Sequence, residues 1–457
     1  MFSKDYSILN IGLPLIVEAV PSDRVVHLQW EPPSFGDIEI ARLTSMLDDN
    51  VTRKANEEAI AKVHSVRPQL QGIIPAKEAI PALQQRLLLH AGPPISFSQM
   101  CGPMQGALIG ASIFEKWAKN EDEALTLLNS GEIQVSPCHH YGAVGPMAGV
   151  LSPSMPVFVV SDGDRKAYAS MNEGLGKVLR FGAYDDEVIQ RLEWMRDVLG
   201  PTLNRSLDIT GPLDTTALFG QALAMGDEGH NRNVAATSLF TRKLAPFLST
   251  LDGGRETLEF LASNDHFALN LSMAAAKLCM DAARGTENST LVVAMARNGV
   301  QFGLQTAGTG DTWFTAEVGP ADGLFFPGYS IEDANPDLGD SAITETLGIG
   351  GFAMAASPAI TKFVGGAPSD ALKISVEMGR ITISQHPAFQ LPPLNFAGSP
   401  SGIDVLKVSE TDILPVINTG IAHKKAGIGQ IGAGIVRAPK EVFLSAIREI
   451  ARLRNLT

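Results

Sequence analysis

The chain has 457 residues, a formal net charge of −13 and a charged fraction of only 19%. This length predicts two to four domains with a large core, and the acidic charge disfavours nucleic-acid binding, which depends mostly on Lys and Arg neutralising phosphates. Three widely spaced cysteines, Cys101, Cys138 and Cys279, predict no disulfide framework and a reducing, cytoplasmic setting. No signal peptide is recognised at 1–5, and the most apolar segment, 348–360, is too short to span a bilayer. We therefore expect a soluble cytoplasmic protein without a membrane or nucleic-acid partner.

Hydrophobic periodicity predicts helices and strands that mix throughout the chain. In the first part, the predicted elements are strands at 6–11 and 24–30, a helix at 38–63, a strand at 70–74 and a helix at 75–89. The helices predicted after these lie at 103–128, 186–199, 213–248, 264–284, 344–356 and 440–453. The later predicted strands lie at 133–135, 157–160, 291–296, 301–306, 324–326, 372–376, 381–383 and 413–418.

The order of these elements predicts an α/β and α+β multidomain protein. The middle of the chain lacks steady βαβ alternation, which argues against one continuous parallel sheet. The predicted units are a small N-terminal Rossmann-like α/β domain (1–90), an α+β domain (91–185), an all-helical insert (186–262) and a second α+β domain (263–457).

The segment 225–233 places many polar side chains inside an apolar helical region. An unpaired buried polar group costs about 1–3 kcal/mol, so these side chains either satisfy one another or wait for a polar ligand. On a helix, Asp227 and His230 share a face, and Asp227 would orient the imidazole as a general base. Arg232 with Asn231 and Asn233 suits an anion or an amide. The alternative is a self-satisfied network between packed helices.

Adjacent histidines stand in a Gly- and Pro-bounded loop at 136–146. Loops carry binding and catalytic residues disproportionately often, so His140 is predicted to be catalytic and His139 to bind substrate. Cys138 beside them is a weak candidate nucleophile. A structural turn is the alternative.

Carboxylates are dense in the loop at 331–345, where they are Glu332, Asp333, Asp337, Asp340 and Glu345. Such oxygen-rich loops suit Mg²⁺ or Ca²⁺, but the spacing is not that of an EF-hand. The alternatives are a substrate-site role and capping of the following helix by Asp340 and Ser341. No cofactor and no metal site is predicted, with Mg²⁺ left open.

A glycine-rich segment at 418–434 contains a literal GxGxxG pattern that ends at Gly432. A dinucleotide site needs a βαβ unit and a later acidic residue, and the chain that remains is too short for them. The better interpretation is a turn whose N–H groups bind an anion, aided by His423, Lys424 and Lys425. A close-packed turn is the alternative.

Further Arg and Asn side chains lie among glycines. Arg297 and Asn298 are predicted to bind substrate, whereas Arg180 taken alone is more typical of a structural role. Together with Arg232 and His230, these residues match the needs of a small polar anion, since Arg binds phosphate or carboxylate and Asn donates to a carbonyl.

Ten segments spread over nearly the whole chain resemble the YlbE/YahG family. They lie at 27–33, 90–95, 100–104, 137–140, 152–156, 172–177, 226–233, 294–299, 332–337 and 418–423. The resemblance implies a link to allantoin breakdown, because one branch of the family is the AllG subunit of oxamate carbamoyltransferase. That subunit acts with an FdrA-type subunit that looks like a succinyl-CoA ligase α chain. The family's Asp-Trp-Arg-Pro-Pro pattern is replaced here at 29–33 by Gln-Trp-Glu-Pro-Pro, so substrate or partner could differ.

The resemblance implies a transferase subunit that converts oxalurate and phosphate to oxamate and carbamoyl phosphate. His230, oriented by Asp227, would protonate the departing nitrogen. Arg232 and Arg297 would hold phosphate or carboxylate, and Asn231, Asn233 or His140 would polarise the carbonyl. The expected partners are FdrA-like and other carbamoyltransferase subunits, with a homo-oligomer also expected.

Two other classes of protein stay open at this point. One is a metal-dependent amidohydrolase that uses His139, His140, Asp227 and His230. The other is a non-catalytic assembly subunit that binds an FdrA-like partner.

Overall fold

The computed structural model describes residues 7–11, 20–28 and 34–456. The α-helices within them are α1 (Ile38–Leu47), α2 (Asn50–Ser65), α3 (Ala76–Ala79), α4 (Gly102–Phe114), α5 (Glu121–Ser130), α6 (Asp186–Trp194), α7 (Gly200–Thr210), α8 (Thr215–Ala224), α9 (Val234–Leu248), α10 (Gly254–Ser263), α11 (Phe267–Asp281), α12 (Ile343–Leu347), α13 (Thr361–Val364), α14 (Pro368–Met378), α15 (Val405–Thr411) and α16 (Lys440–Leu453). In the described part of the chain, no helix has the length and apolar character that crossing a bilayer requires.

The β-strands of the same residues are β1 (Ile8–Ile11), β2 (Val25–Leu28), β3 (Gln69–Pro75), β4 (Leu87–His90), β5 (Gln134–Pro137), β6 (Ala143–Val144), β7 (Pro156–Ser161), β8 (Lys166–Ser170), β9 (Leu213–Asp214), β10 (Val292–Asn298), β11 (Gln301–Thr306), β12 (Phe314–Glu317), β13 (Asp322–Phe325), β14 (Leu338–Gly339), β15 (Thr382–Leu391), β16 (Ala397–Ile403), β17 (Val416–Ala422) and β18 (Gln430–Arg437).

The strands form several small sheets. The larger ones have the strand orders β6-β8-β7-β3-β9, β12-β11-β10-β14 and β13-β18-β17, while β15-β16, β4-β5 and β1-β2 are pairs. The β4-β5 and β1-β2 pairs are parallel, and β15-β16 is antiparallel. This mixture of helices with small parallel and antiparallel sheets confirms the predicted α/β and α+β multidomain class.

The core is built around α11, which is buried from Phe267 to Met280. Most of its residues are apolar, as is typical of an interior helix. Phe267 contacts Phe158 of β7 and Phe240 of α9, each with ring centroids 5.6 Å apart. A second core lies under the amphipathic helix α16, whose buried side includes Phe443. These two cores hold the loops that carry the polar clusters.

Several predicted elements are confirmed closely. The predicted helix at 440–453 is α16 and the predicted strand at 301–306 is β11. The predicted helix at 38–63 is interrupted, because Asp49 accepts from the N–H groups of Val51 and Thr52 and starts α2. Tyr6 and residues 29–33, which contain the departure from the family pattern, lie outside the described residues. The predicted domain boundaries stay predictions, although β3 hydrogen-bonds to β7 and β9 across residue 90.

Two segments have the wrong predicted type. The segment 75–89 is mostly not helical, because Pro81 follows the short α3 and the chain then forms the fully buried strand β4. The segment 372–376 is not a strand but part of α14. Its buried positions Ala371, Ser375 and Met378 recur at helical spacing.

The prediction of one continuous helix over 213–248 is also wrong in the middle of that segment. It divides into α8 and α9, and 225–233 is an irregular loop between them. Gly226 has φ 100°, a left-handed conformation that glycine adopts without steric cost. The predicted helix at 344–356 likewise ends at Leu347, with a 3-10 segment over Gly350–Ala356 behind it.

Ser375→Ala tests the packing of α14. The Ser375 hydroxyl oxygen accepts a 2.9 Å hydrogen bond from the buried N–H of Ala355, so the substitution leaves that group unsatisfied. We expect the free energy of unfolding to fall by about 1–3 kcal/mol, measured by urea denaturation. Ser369→Ala, on the exposed side of the same helix, is the control and changes it little. Equal effects of the two substitutions would contradict the assigned contact.

Candidate functional site

The loop at 225–233 is held by its own polar groups. The Asp227 carboxylate accepts from Ala236 N at 2.8 Å, at the start of α9. The Asn233 amide donates to His230 O at 2.7 Å, and Gly229 N donates to Arg232 O at 3.1 Å. This internal bonding fixes the backbone and leaves several side chains of the loop directed elsewhere.

His230 is oriented by Glu345 rather than by Asp227, which corrects the prediction. The imidazole Nδ1 lies 2.8 Å from Oε1 and 3.0 Å from Oε2 of Glu345. The assumed helix would have placed Asp227 beside His230, but the irregular loop directs that carboxylate to α9. Because the Glu345 carboxylate accepts at Nδ1, the neutral imidazole carries its proton there, and Nε2 has no hydrogen-bond partner among the described residues.

The Glu345 carboxylate is itself tightly held. It is fully buried, and its Oε1 accepts from Gly351 N at 2.9 Å and from Asn418 N at 3.1 Å. The Thr344 hydroxyl lies 2.9 Å from Oε2. These contacts fix the direction of the His230 ring.

Glu228 adds a second buried carboxyl group beside His230. It accepts from Arg232 N at 2.7 Å and from the Asn418 side-chain amide at 3.0 Å. Burial raises the pKa of Glu228 to about 7, with His230 lowering it and Glu345 raising it. Burial likewise raises the pKa of Asp227 to about 6. Both carboxyl groups therefore have pKa values closer to neutral pH than an exposed carboxyl group has.

A cavity of about 580 Å³ opens beside this cluster. Its polar lining residues come from several segments and are Arg180, His230, Asn231, Arg232, Asn233, Asp265, His266, Ser341, Lys362 and Gln430. Three of them are permanent cations and one is a carboxylate, so the cavity favours an anion. The structure thus brings the predicted His230, Asn231, Arg232 and Asn233 together on one wall.

Arg232 is positioned to hold an anionic group. Its Nε donates to Gly226 O at 3.1 Å, and Nε also lies 3.7 Å from an oxygen of Asp227. The side chain is 34% exposed, and the terminal amino groups form no hydrogen bond to a described residue. Asn231 already donates to Thr419 O at 3.2 Å, and the Asn233 amide donates within the loop, so one N–H of each side-chain amide is already used.

The residues that the sequence missed here are Glu345, His266, Ser341 and Lys362. Glu345 was considered only as one of five carboxylates in a loop. A signal existed for His266, since Asn264, Asp265 and His266 interrupt an apolar stretch. An exposed lysine such as Lys362 gives no such signal, because most surface lysines are merely solvated.

His139 and His140 do not line this cavity, and their predicted roles stay predictions. His139 is buried with its Nε2 3.5 Å from Asp340, and burial holds the pKa of its imidazole well below the usual value. His140 Nε2 accepts from the Trp313 indole N–H at 3.1 Å. Cys138 is buried, which raises the pKa of its thiol well above the usual value, so it does not present a thiolate.

Arg297 and Asn298 are likewise placed in the interior, away from the cavity. Arg297 is fully buried, and its Nε donates to Asp337 at 2.7 Å. The side-chain oxygen Oδ1 of Asn298 accepts from Gln301 N at 2.7 Å and closes the turn between β10 and β11. The Arg297 guanidinium, which was predicted to bind substrate, is therefore paired with the internal carboxylate of Asp337.

His423 and Lys424 lie in the turn of the β17-β18 hairpin, outside the cavity. Nδ1 of His423 accepts from Lys425 N at 2.8 Å, and the Lys424 ammonium donates to Glu332 O. The GxGxxG pattern runs from this turn into β18. A hairpin lacks the helix N-terminus on which dinucleotide phosphates rest.

The acidic loop at 331–345 is dispersed by the fold. Asp333 accepts from Ser330 N at 3.0 Å, and Asp337 binds Arg297. Asp340 accepts from Gly92 N at 2.7 Å and does not cap α12. The N-cap residue of α12 is Ala342. Within the described ranges, no group of three or more His, Cys, Asp or Glu side chains is arranged to hold a metal ion.

Comparison with known proteins gives consistent results. A family model described as oxamate carbamoyltransferase subunit AllG matches residues 133–341. The chain is 48% identical over 408 residues to the oxamate carbamoyltransferase subunit AllG of Escherichia coli (strain K12), covering 87% of this chain and 97% of that protein. It is 44% identical to the uncharacterized protein YahG of the same strain, covering 98% and 97%.

A solved structure is also similar. It is the crystal structure of a conserved protein of unknown function from Enterococcus faecalis V583, with a TM-score of 0.86 and 47% identity. The match covers 88% of this chain and 98% of that chain. The architecture is therefore shared across nearly the whole of that protein.

Glu228→Gln tests the raised pKa of this buried carboxyl group. The pKa of Glu228 is about 7 in the folded chain, against an ordinary value of 4.5, so the folded state binds this proton more tightly than the unfolded state does. The protonated carboxyl group therefore stabilises the fold at low pH, and this contribution is lost as the pH rises through about 7. Gln is neutral throughout. We expect the unfolding temperature of the variant, relative to wild type, to rise by about 2–4 °C or more between about pH 5 and about pH 8.

Scanning calorimetry at both pH values measures this difference. Glu441→Gln, on the exposed side of α16, is the control and shows a difference that does not change with pH. A pH-independent difference for Glu228→Gln as well would show that this carboxyl titrates in its ordinary range.

Proposed function

This chain belongs to the family of the oxamate carbamoyltransferase subunit AllG and of YahG, and we propose that its cavity is the site where a carbamoyl group passes from an N-carbamoyl compound to phosphate. The observation that carries the proposal is His230, held by the buried Glu345 with Nε2 free, in a cavity lined by Arg180, Arg232 and Lys362. The proposed substrate is oxalurate or a related compound, and the reaction would serve purine and allantoin catabolism.

The proposed reaction moves one proton. A hydrogen phosphate oxygen attacks the carbamoyl carbon, and Nε2 of His230 accepts the proton of that phosphate. The bond between the carbamoyl carbon and the amide nitrogen then breaks, and His230 returns the proton to the departing nitrogen. Oxamate and carbamoyl phosphate result, and His230 ends neutral as it began. Glu345 stabilises the imidazolium that forms between the two transfers.

Arg232 holds one of the reacting anions in this proposal. Arg232 follows His230 by two residues in the same loop, and its terminal amino groups are free to bind an anion. Asp227 and Asn233 fix the backbone of this loop. Charge-assisted hydrogen bonds from a guanidinium are about twice as strong as neutral ones and match carboxylate or phosphate oxygens. Positioning of this kind is what a two-substrate transfer needs most.

His230→Ala tests the proposed acid–base role. We expect kcat for carbamoyl phosphate formation from oxalurate and phosphate to fall by roughly 10²–10⁴-fold, assayed with the candidate partner subunits present. Glu345→Gln keeps the hydrogen bond but removes the charge, and it lowers kcat less while shifting the pH profile.

His423→Ala is the matched control, since this histidine lies in the β17-β18 turn outside the cavity, and its kcat stays within about two-fold of wild type. If His230→Ala also stayed within a few-fold, the acid–base assignment would be wrong.

We also propose that a partner subunit, of the FdrA-like type expected from the sequence, docks at the mouth of the cavity. Large apolar side chains there are exposed: Leu175 by 56%, Leu324 by 48%, Phe326 by 47% and Phe363 by 50%. Clustered exposed apolar side chains mark interaction surfaces. The named relative is a subunit, and a partner at the mouth would exclude water from the transfer.

Phe326→Ser tests this docking surface. Loss of a buried aromatic anchor at an interface typically costs about 2 kcal/mol or more, so we expect the affinity for the FdrA-like subunit to fall by roughly 30-fold, measured by sedimentation of the mixed subunits. Phe396→Ser, at an exposed phenylalanine outside the mouth, is the control. Equal binding by the two variants would place the interface elsewhere.

A further inference from the structure

Arg180 presents a buried positive charge on the cavity wall. Its side chain comes from the segment 172–182, not from the loop that carries Arg232, and the residue is only 7% exposed. Its Nη2 donates to Gly174 O at 2.7 Å. The guanidinium is thereby held in place by its own segment.

Glu173 acts electrostatically on Arg180 but forms no direct ion pair with it. Glu173 accepts from Leu179 N at 2.7 Å and from Arg180 N at 3.2 Å, so its oxygens bind the backbone. Among the described residues, no carboxylate oxygen lies within 4.0 Å of the Arg180 guanidinium, and its buried Nε has no hydrogen-bond partner. The Phe181 ring centroid lies 5.2 Å from the guanidinium carbon, but a buried charge without a direct ion-pair partner is still costly, and an oxyanion would supply that partner.

Other groups of the same cavity are suited to the same ligand. Ser341 Oγ is buried without a hydrogen-bond partner. Gln430 lies on the wall formed by β18, where its Nε2 donates to Gly432 O at 2.9 Å and keeps one further N–H. Burial, with the charge of Arg180, lowers the pKa of His266 to about 4. His266 is therefore neutral at physiological pH, and the cation of this part of the wall is Arg180.

We propose that Arg180 forms a second oxyanion subsite, separate from that of Arg232, so that the cavity binds two anionic groups at once. Each guanidinium is fixed by a different backbone carbonyl, Gly174 O for Arg180 and Gly226 O for Arg232. A cavity of about 580 Å³ is in the range that holds a drug-sized ligand, which leaves room for two small anions. The choice of a carboxylate and a phosphate as the two anions rests on the proposed function, whereas the existence of two subsites does not.

The first experiment uses the wild-type chain and calorimetric titration with oxamate and with inorganic phosphate. Two subsites predict that oxamate binds phosphate-saturated protein with an affinity within about three-fold of its affinity for the free protein. A single shared subsite predicts competition, with the apparent affinity falling in proportion to phosphate, and that result overturns the proposal. Absence of binding by both anions also overturns it, whatever the turnover of the assembled enzyme.

The second experiment assigns the anions to the arginines. We expect Arg180→Gln to weaken one of the two anions by roughly 10- to 100-fold and to leave the other within about three-fold, with Arg232→Gln giving the opposite pattern. The anion that Arg180→Gln loses identifies the subsite as a carboxylate or a phosphate site. Arg242→Gln, on the exposed side of α9, changes neither.

If Arg180→Gln leaves both anions unchanged, or weakens both as Arg232→Gln does, the separate subsite is disproved. That outcome leaves the acid–base role of His230 standing, because the His230→Ala assay measures turnover rather than anion binding.

Discussion

The hydrogen bond between His230 and Glu345 is the contact on which the candidate site depends. It joins the loop after α8 to α12, two segments 115 residues apart. Gly350 covers the pair: it has φ 64°, and a Cβ there would lie 2.1 Å from a Glu345 oxygen and 3.1 Å from His230 Cβ. Only glycine fits both that conformation and that space. The histidine, the acid and the glycine therefore form one unit whose geometry sets the direction of Nε2.

A second layer of buried charges holds the walls around this unit. Arg297 binds Asp337, which also accepts from Thr419 at 2.8 Å. Asp340 binds Gly92 N at 2.7 Å and Gly145 N at 3.1 Å, and burial raises its pKa to about 7. Such networks join distant segments, and breaking one partner of a buried pair costs about 3–5 kcal/mol. Arg297 and Asp340, which are candidate site residues in the sequence, thus connect the segments that surround the site.

The cavity combines fixed cations with groups whose charge is adjustable. Arg180 stays charged at neutral pH, although burial lowers its pKa to about 10. Glu228 titrates near neutrality and lies beside both His230 and Arg232. Binding of an anion would favour ionised cations and a protonated Glu228, so ligand binding and the proton content of the cluster are coupled. A transfer that moves one proton suits such a site.

The sequence by itself determined the class of fold, the family and the concentration of polar side chains at 225–233, although not that this segment is a loop, because periodicity and dense local motifs are properties of short segments. It did not separate residues that bind a ligand from residues that bind each other. Arg297, His139 and Arg232 are equally plausible ligand-binding residues in the sequence. In the structure, Arg297 lies beside Asp337 and His139 beside Asp340, whereas Arg232 faces the cavity. Only the tertiary structure decided this, since the partner of a charged group is set by contacts between segments far apart in the chain. The same reason explains why Glu345, and not the neighbouring Asp227, orients His230.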